Sequence, residues 1–553
     1  TDTAPHHPVS DPMSDRRAAL AALAAQAALG SGCAGPDRPS PLIPPSPEPP
    51  PAAPAPGEPP WPAAELPPAA PRELRGAWVA TVANIDWPSR PGLSAAQQRA
   101  EALALLDRAQ AMNLNLLVLQ VRPSGDAIHP SALEPWTEYL SGEQGRAPWG
   151  AAEASWDPLA FWLEQAHARA IELHVWFNPY RARHSAAKSP PVAPHVAVRQ
   201  PGLVRRYGEQ LWMDPGEPAA AEHTLAVVAD VLRRYAVDGV HIDDYFYPYP
   251  VLANPAAGPG SVELPFPDDS SWARYTAAGG TLARDDWRRA NVDALVERLH
   301  DTVHTVRPGT RFGISPFGIG RPDRRPAGIT GFSQFDKLFA DVERWIAQGW
   351  LDYLVPQLYW PIDRPGQQFP VLLAHWQREL AELSPAPQRH LWPGLFTSQV
   401  RRRADDAPGP RSWPGAELLA QVQLMREQGT PGHIHFSMVA LMQDRDGLAT
   451  ALQRGPYAEP ALVPATPWLD ARVPAAPTLR AEGARLRIEP GVGAPGAEVP
   501  VARWALWRRV GGQWRFAVLP GAARTLALDG ADRVALAAIS RTGVEGPRHL
   551  FKP

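Results

Sequence analysis

The sequence predicts an α/β protein, a (β/α)8 TIM-type barrel followed by a small C-terminal β-sandwich, and three observations predict it. Between residues 72 and 466, short apolar runs alternate with amphipathic helical stretches eight times, the pattern of parallel strands joined by crossover helices. After residue 467 the helical period gives way to short alternating segments broken by Gly and Pro. No Gly-rich turn follows the first predicted strand, so an open doubly wound sheet with a dinucleotide site is the weaker alternative.

The elements follow in order. Residues 74–82 form the first strand, and a helix over 95–112 leads to the second at 116–121. Asp157 is a helix N-cap type and opens a helix over 158–169 that delivers the third strand, 171–177. A helix over 219–235 precedes 240–242, and a long one over 287–306 precedes 312–315. Helices over 335–348, 369–383 and 415–428 lead to strands at 353–358, 390–395 and 432–436. The C-terminal segments 479–488, 501–510, 513–519, 525–528 and 533–540 resemble a fibronectin type III module.

Ahead of the barrel the chain reads differently. From Met13, Asp15-Arg16-Arg17 leads into an apolar run over 18–29 broken only by Gln26, then Gly30-Ser31-Gly32 and Cys33. That is the layout of a secretory signal peptide, and the run is too short to span a membrane comfortably. It resembles a bacterial lipoprotein signal over 13–33, with Cys33 as the lipid attachment site, although Gly30 stands where such signals usually carry Leu. Residues 34–71 are rich in Pro and Ala, a composition that buries no core and favours an extended spacer. The expected location is the cell envelope, as an outer-membrane lipoprotein facing the periplasm, or otherwise secretion.

Charged residues make up 20% of the chain and the formal net charge is -3, so the broad basic field that nucleic acid needs is absent. Cys33 is the single cysteine, which excludes an internal disulfide and a cysteine-based zinc site. The 21 Trp and 11 Tyr suit a protein that stacks rings on sugars.

Active sites of such barrels lie at the C-terminal ends of the strands. At the fourth, strand alternation groups His241, Asp243 and Tyr245 toward the barrel mouth and ranks Asp243 above Asp244 as the catalytic carboxylate, with Asp244 reaching the site as well if the strand ends or twists there. Two adjacent carboxyls suit glycosidic cleavage, which needs one group to protonate the leaving oxygen and another to stabilise or attack the anomeric carbon. The bland reading of the pair is a helix cap or a loop salt bridge. The other strand ends supply candidate substrate-binding residues: Asn84 and Asp86 from the first, Gln120, Arg122 and Asp126 from the second, Asn178, Tyr180 and Arg181 from the third. Gln357, Tyr359 and Trp360 come from the sixth. Trp176 reads as barrel filling. A metal site built on His433 and His435 with His241 and Asp243 is the chemical rival, but no familiar zinc spacing appears and no metal or cofactor is expected. No G-x-S-x-G elbow is present for a serine nucleophile.

These residues carry a resemblance. Leu74-Arg-Gly-Ala-Trp-Val79, Gln120-Val-Arg-Pro-Ser-Gly-Asp-Ala127, Trp136-Thr-Glu-Tyr-Leu-Ser-Gly142 and Trp176-Phe-Asn-Pro-Tyr-Arg181 resemble the glycosyl hydrolase-like 10 family of bacterial lipoproteins. So do the run from Asp238 to Pro248, Gly313-Ile-Ser-Pro-Phe-Gly318 and Val355-Pro-Gln-Leu-Tyr-Trp360. The resemblance implies a TIM barrel and a glycosidase acting on peptidoglycan strands stripped of their stem peptides. The run Asp238-Gly-Val-His-Ile-Asp243 is similar to the fourth strand of several retaining glycosidases, and with an N-acetylated substrate Asp243 and Asp244 would assist attack by its acetamido group. The departure is Gly318-Ile-Gly-Arg-Pro322, where an aromatic before the Arg is expected. The expected partner is a glycan polymer, with no nucleic acid, and with membrane contact through Cys33. An exopolysaccharide hydrolase and a non-catalytic glycan-binding lipoprotein are the rival readings, the latter because the fifth strand end carries no carboxylate.

Overall fold

The computed structural model describes residues 61–553 apart from 151–154, 255, 257–260, 404–411, 494–495 and 497. The signal-like segment, Cys33 and the first part of the Pro/Ala-rich stretch lie outside the described residues.

Eight parallel strands form a ring. They are β1 (Leu74–Val79), β2 (Leu116–Arg122), β3 (Glu172–Phe177), β4 (Gly239–Ile242), β5 (Arg311–Ile314), β6 (Tyr353–Leu354), β7 and β8 (Gly432–His435). Each pairs with the next in sequence, and β1 closes on β8. The seventh strand is divided. Its first part, His390–Leu391, pairs with β6, and its second, Gly394–Leu395, pairs with β8, so one segment spans the seam. Pro393 separates the two parts and lacks an N–H for a ladder bond. The ring is a TIM-like α/β barrel. Leu116 to Arg122 is buried at every position, as a strand covered on both faces requires.

Large rings fill the lumen. Trp78, Trp176, Tyr353 and Trp392 form one buried cluster with Leu74, Leu116 and Ile434. They fit because neighbouring strands carry no side chain at the same level. A Cβ on Gly313 would stand 2.0 Å from the Tyr353 ring, and one on Gly239 2.5 Å from His174.

Local signals set the helix ends. Asp157 accepts from Ala160 N at 3.1 Å and Pro158 opens the helix Pro158–His167. Ser94 and Gln97 form a reciprocal capping box on the helix Ala95–Ala111. The single helix expected over 335–348 is two, Gln334–Lys337 and Val342–Gln348. Phe339 takes a φ of 54° between them, and Asp341 caps the second by accepting from Arg344 N at 3.2 Å. A small antiparallel sheet after β3, formed by Arg181–Arg183, Val204–Tyr207 and Gln210–Met213, escapes the eightfold pattern altogether.

The C-terminal module has a three-stranded sheet and a four-stranded sheet with an apolar core between them. The segment expected as one strand over 479–488 is a hairpin, Thr478–Glu482 and Arg485–Glu489, turning at Gly483 with a φ of +62°. This module sits on the floor of the barrel, at the N-terminal ends of the strands. Arg503 reaches Glu172 at 3.2 Å and donates to Ala170 O at 2.9 Å. Arg541 donates to Val237 O and Thr310 Oγ1, and Trp468 donates to Asp352 at 2.8 Å. The described end of the Pro/Ala-rich stretch runs along the same module. Trp61 stacks on Trp514 at 6.2 Å, Glu65 pairs with Arg533 at 3.0 Å, and Arg548 donates to Pro67 O and Pro68 O.

Candidate active site

β4 ends at Ile242, so strand alternation stops one residue before the two aspartates. Asp243 and Asp244 therefore both turn into the mouth, instead of pointing to opposite faces as a continued strand would place them. Both are nearly inaccessible, at 4% and 2% exposure, and buried carboxyls of this kind shift toward the protonated form. Burial pushes Asp243 up to about 7, with the charge of Asp244 adding to it, while the Arg181 guanidinium opposes the rise. Burial raises Asp244 as well, against hydrogen bonds from Tyr249 and Gln357. The two carboxyls act on each other's titration, so their protons come off in steps that belong to the pair.

Asp243 is fixed by donors. Asn178 Nδ2 donates to its Oδ2 at 2.5 Å, and Trp176 Nε1 donates to the same oxygen at 3.1 Å. The backbone N–H of Tyr245 donates to Oδ1 at 3.3 Å. Trp176 comes from β3 and Asn178 from the residue just past its end, where the Asn178 N–H still donates to Arg122 O and keeps the strand's alternation. Trp176 thus fills the barrel, as expected, and also grips the carboxylate, a role that sequence reasoning missed.

The amide of Asn178 is oriented from behind. Gln120 Oε1 accepts from the backbone N–H of Thr81 and Val82 at 3.0 and 2.9 Å, so its Nε2 must face Asn178 Oδ1, at 2.6 Å. That leaves Nδ2 of Asn178 for Asp243. Arg122 spends its guanidinium on Glu134 and on the carbonyls of Asn178 and Pro179, at 2.7 and 3.1 Å, which pins the β3 loop.

Arg181 lies over the Tyr245 ring at 4.1 Å, within cation–π range, and Tyr249 donates its hydroxyl to Asp244 Oδ2. Gln357 donates to Ser315 O at 2.9 Å and also bonds Asp244. Tyr359 stacks on Phe396 at 4.6 Å and feels the charges of both aspartates. Trp360 stands further along the rim, edge-on to Phe317 at 5.5 Å.

The remaining expected site residues lie elsewhere. His241 sits one layer below Asp243, bonded to Ser315 Oγ at 2.9 Å and Tyr353 OH at 3.1 Å, and burial holds it well below its ordinary pKa. It is a neutral strut beneath the site. Asn84 spends its amide on Pro88 O and Tyr139 O, a loop tie. Asp86 accepts from Ala80 N, Val439 N and Ser437 Oγ, joining the loops after β1 and β8, and burial lifts it to about 6. Asp126 bonds Ser124 N and Gln144 inside the loop after β2, where burial lifts it to about 7. Tyr180 is wholly buried in the main core. Arg122 and Gln120 act behind Asn178, as described. Both His433 and His435 direct Nε2 to the Tyr457 hydroxyl, the latter at 2.8 Å, and among the described residues no cluster of three metal-ligating side chains occurs.

Paired buried carboxyls therefore sit among aromatic rings at the mouth of a TIM-like barrel. The profile of the glycosyl hydrolase-like 10 family matches residues 73–407, and the chain belongs to that family. It is a glycoside hydrolase. It is 38% identical over 414 residues to the glycosyl hydrolase YngK of Bacillus subtilis, covering 74% of this chain and 76% of that protein. It is 34% identical over 340 residues to the glycosyl hydrolase DigH of Escherichia coli, covering 57% of this chain and 73% of that one. Among solved structures, the glycoside hydrolase domain of PgaB from Bordetella bronchiseptica aligns at a TM-score of 0.43 and 15% identity, covering 69% of this chain and 99% of the domain.

Proposed function

We propose that this glycoside hydrolase cleaves an N-acetylated amino-sugar polymer of the bacterial envelope, peptidoglycan glycan strands lacking stem peptides. The observation that carries the reading is the Asp243–Asp244 pair, buried, shifted toward protonation and held by Trp176 and Asn178. Such a pair supplies both chemical needs of glycosidic cleavage. One carboxyl gives its proton to the leaving oxygen as the bond to the anomeric carbon breaks. The other, ionised and immobile, stabilises the positive charge that develops there or orients an acetamido group to attack it, and water then completes hydrolysis. Tyr245, Tyr359 and Trp360 offer rings for sugar faces, and the half-buried Gln357 offers a polar contact, while Asn178 and Arg181 act through Asp243.

The chain is further proposed to be a lipoprotein attached at Cys33, in the outer membrane facing the periplasm, with a fibronectin type III-like module at its C-terminus. The signal-like order over 13–33 supports the first, and the three-plus-four strand arrangement supports the second. Among the described residues no helix is long and apolar enough to cross a membrane. Purified denuded strands, intact peptidoglycan and an exopolysaccharide are incubated with the protein and new reducing ends are measured. Release from denuded strands alone is the expected result, and release only from the exopolysaccharide overturns the substrate. Radioactive palmitate should label the wild type and not Cys33→Ala.

A further inference from the structure

The two aspartates differ in the chemistry of their partners. Every group bonded to Asp243 is a donor that cannot accept: the indole N–H of Trp176, the amide NH2 of Asn178 and the backbone N–H of Tyr245. Oδ2 already receives two of these, and the Arg181 guanidinium adds a positive charge nearby. These partners favour the ionised form against the upward push of burial, and none of them can accept a proton from Asp243. Asp244 has one partner that works in both directions. The Tyr249 hydroxyl donates to Asp244 Oδ2 when that group is ionised and accepts when it is protonated, whereas Gln357, whose Nε2 also donates to Ser315 O, serves Asp244 as a donor only.

We propose that Asp244 is the proton-donating acid of the pair, Asp243 its fixed carboxylate, and Tyr249 the positioning residue that holds Asp244 in either protonation state. The assignment rests on the glycosidase chemistry proposed above and deepens it. Tyr249 is built for the task. Its ring is stacked on Phe332 of the loop after β5 at 5.1 Å and meets Tyr245 edge-on at 5.6 Å, so the hydroxyl is aimed from two sides. The titratable and charged groups around Asp244 are Asp243, Arg181, Tyr245, Tyr249 and Tyr359. Tyr249 is the one whose hydroxyl is bonded to it. In the forward step the Asp244 proton passes to the glycosidic oxygen. The carboxylate left behind keeps the Tyr249 hydrogen bond, and recovers a proton when water is consumed in the second half of hydrolysis.

The test compares two substrates on Tyr249→Phe, Asp244→Asn and Asp243→Asn. One is the denuded glycan strand, whose sugar leaving group needs a proton. The other is a 2,4-dinitrophenyl glycoside of the same sugar, whose leaving group departs without one. Asp244→Asn should lose about a hundredfold or more on strands and far less on the aryl glycoside, the mark of a missing acid. Asp243→Asn should lose heavily on both. Tyr249→Phe, which keeps the ring stack, should lose about tenfold on strands, again more than on the aryl glycoside. Its alkaline limb of kcat/KM should move to higher pH, because the ionised form of Asp244 loses a donor. Equal losses on both substrates with an unmoved limb overturn the role of Tyr249. A selective loss in Asp243→Asn in place of Asp244→Asn overturns the assignment. A wild type that cleaves another polymer revises the proposed substrate only, and the comparison is then run with the aryl glycoside of that polymer. A wild type that cleaves none of them overturns both.

Discussion

Asn178 donates to Asp243 at 2.5 Å with an amide whose direction is dictated by Gln120, which is itself locked to the backbone N–H groups of Thr81 and Val82. The candidate carboxylate is therefore tied to the turn after β1 through two side chains. Gln120→Ala should orphan two buried N–H donors, at about 1–3 kcal/mol each, and release Asn178 as well. Thermal unfolding should fall together with turnover. Asn178→Ala should spare most of the stability, lower turnover by about tenfold or more, and move the acid limb of the pH profile upward, since Asp243 loses a donor to its ionised form.

Arg181 acts on the same carboxylate by charge. Its guanidinium opposes the upward push of burial on Asp243. Arg181→Met should raise the pKa of Asp243, so activity on the acid side should set in at higher pH than in the wild type. Arg181→Lys keeps the charge and loses the planar contact with Tyr245, and should restore much of the acid limb while leaving KM raised. A full pH profile of kcat/KM for the three proteins checks both statements.

The floor of the barrel depends on the C-terminal module. Glu172 is buried between Arg311 at 2.6 Å and Arg503 at 3.2 Å. Burial alone would raise its pKa, but the two guanidinium groups hold it below the usual range. Arg503→Met removes one of them and should cost about 3 kcal/mol near neutral pH, read by denaturant unfolding. The sign with pH follows from the lowered pKa. The contribution of Glu172 is complete above its unfolded value of about 4.3 and fades as pH falls through the folded one, so the gap between wild type and variant should narrow below about pH 4.

Trp514 holds the described end of the Pro/Ala-rich stretch, through Trp61. Trp514→Ala should open residues 61–71 to limited proteolysis while the barrel unfolds at an unchanged temperature. Protection equal to the wild type would mean that Arg533 and Arg548 suffice to hold the strap.

The barrel was legible because parallel strands buried on both faces leave long apolar runs, as in Leu116 to Val121, and because caps such as Asp157 mark the helices between them. The split helix after β5 was not, since Phe339 with its positive φ carries no sequence mark of a break. Asp243 was legible from its strand position. Alternation carried past Ile242 would turn Asp244 away, but the strand stops there and both carboxyls are buried at its end. Asn84, Asp86 and Asp126 have the residue types of a sugar site, and only their hydrogen bonds reveal them as loop ties. Tyr249 lies just beyond the run that ends at Pro248, and its ring stacks on Phe332, far along the chain, which no local pattern reports.

The central claim is that Asp243 and Asp244 together break a glycosidic bond. The most direct measurement is release of new reducing ends from purified denuded glycan strands by the wild type, Asp243→Asn and Asp244→Asn, each confirmed to unfold at the wild-type temperature. The pair predicts a loss of about a hundredfold or more in either variant. Wild-type rates in both folded variants would contradict it.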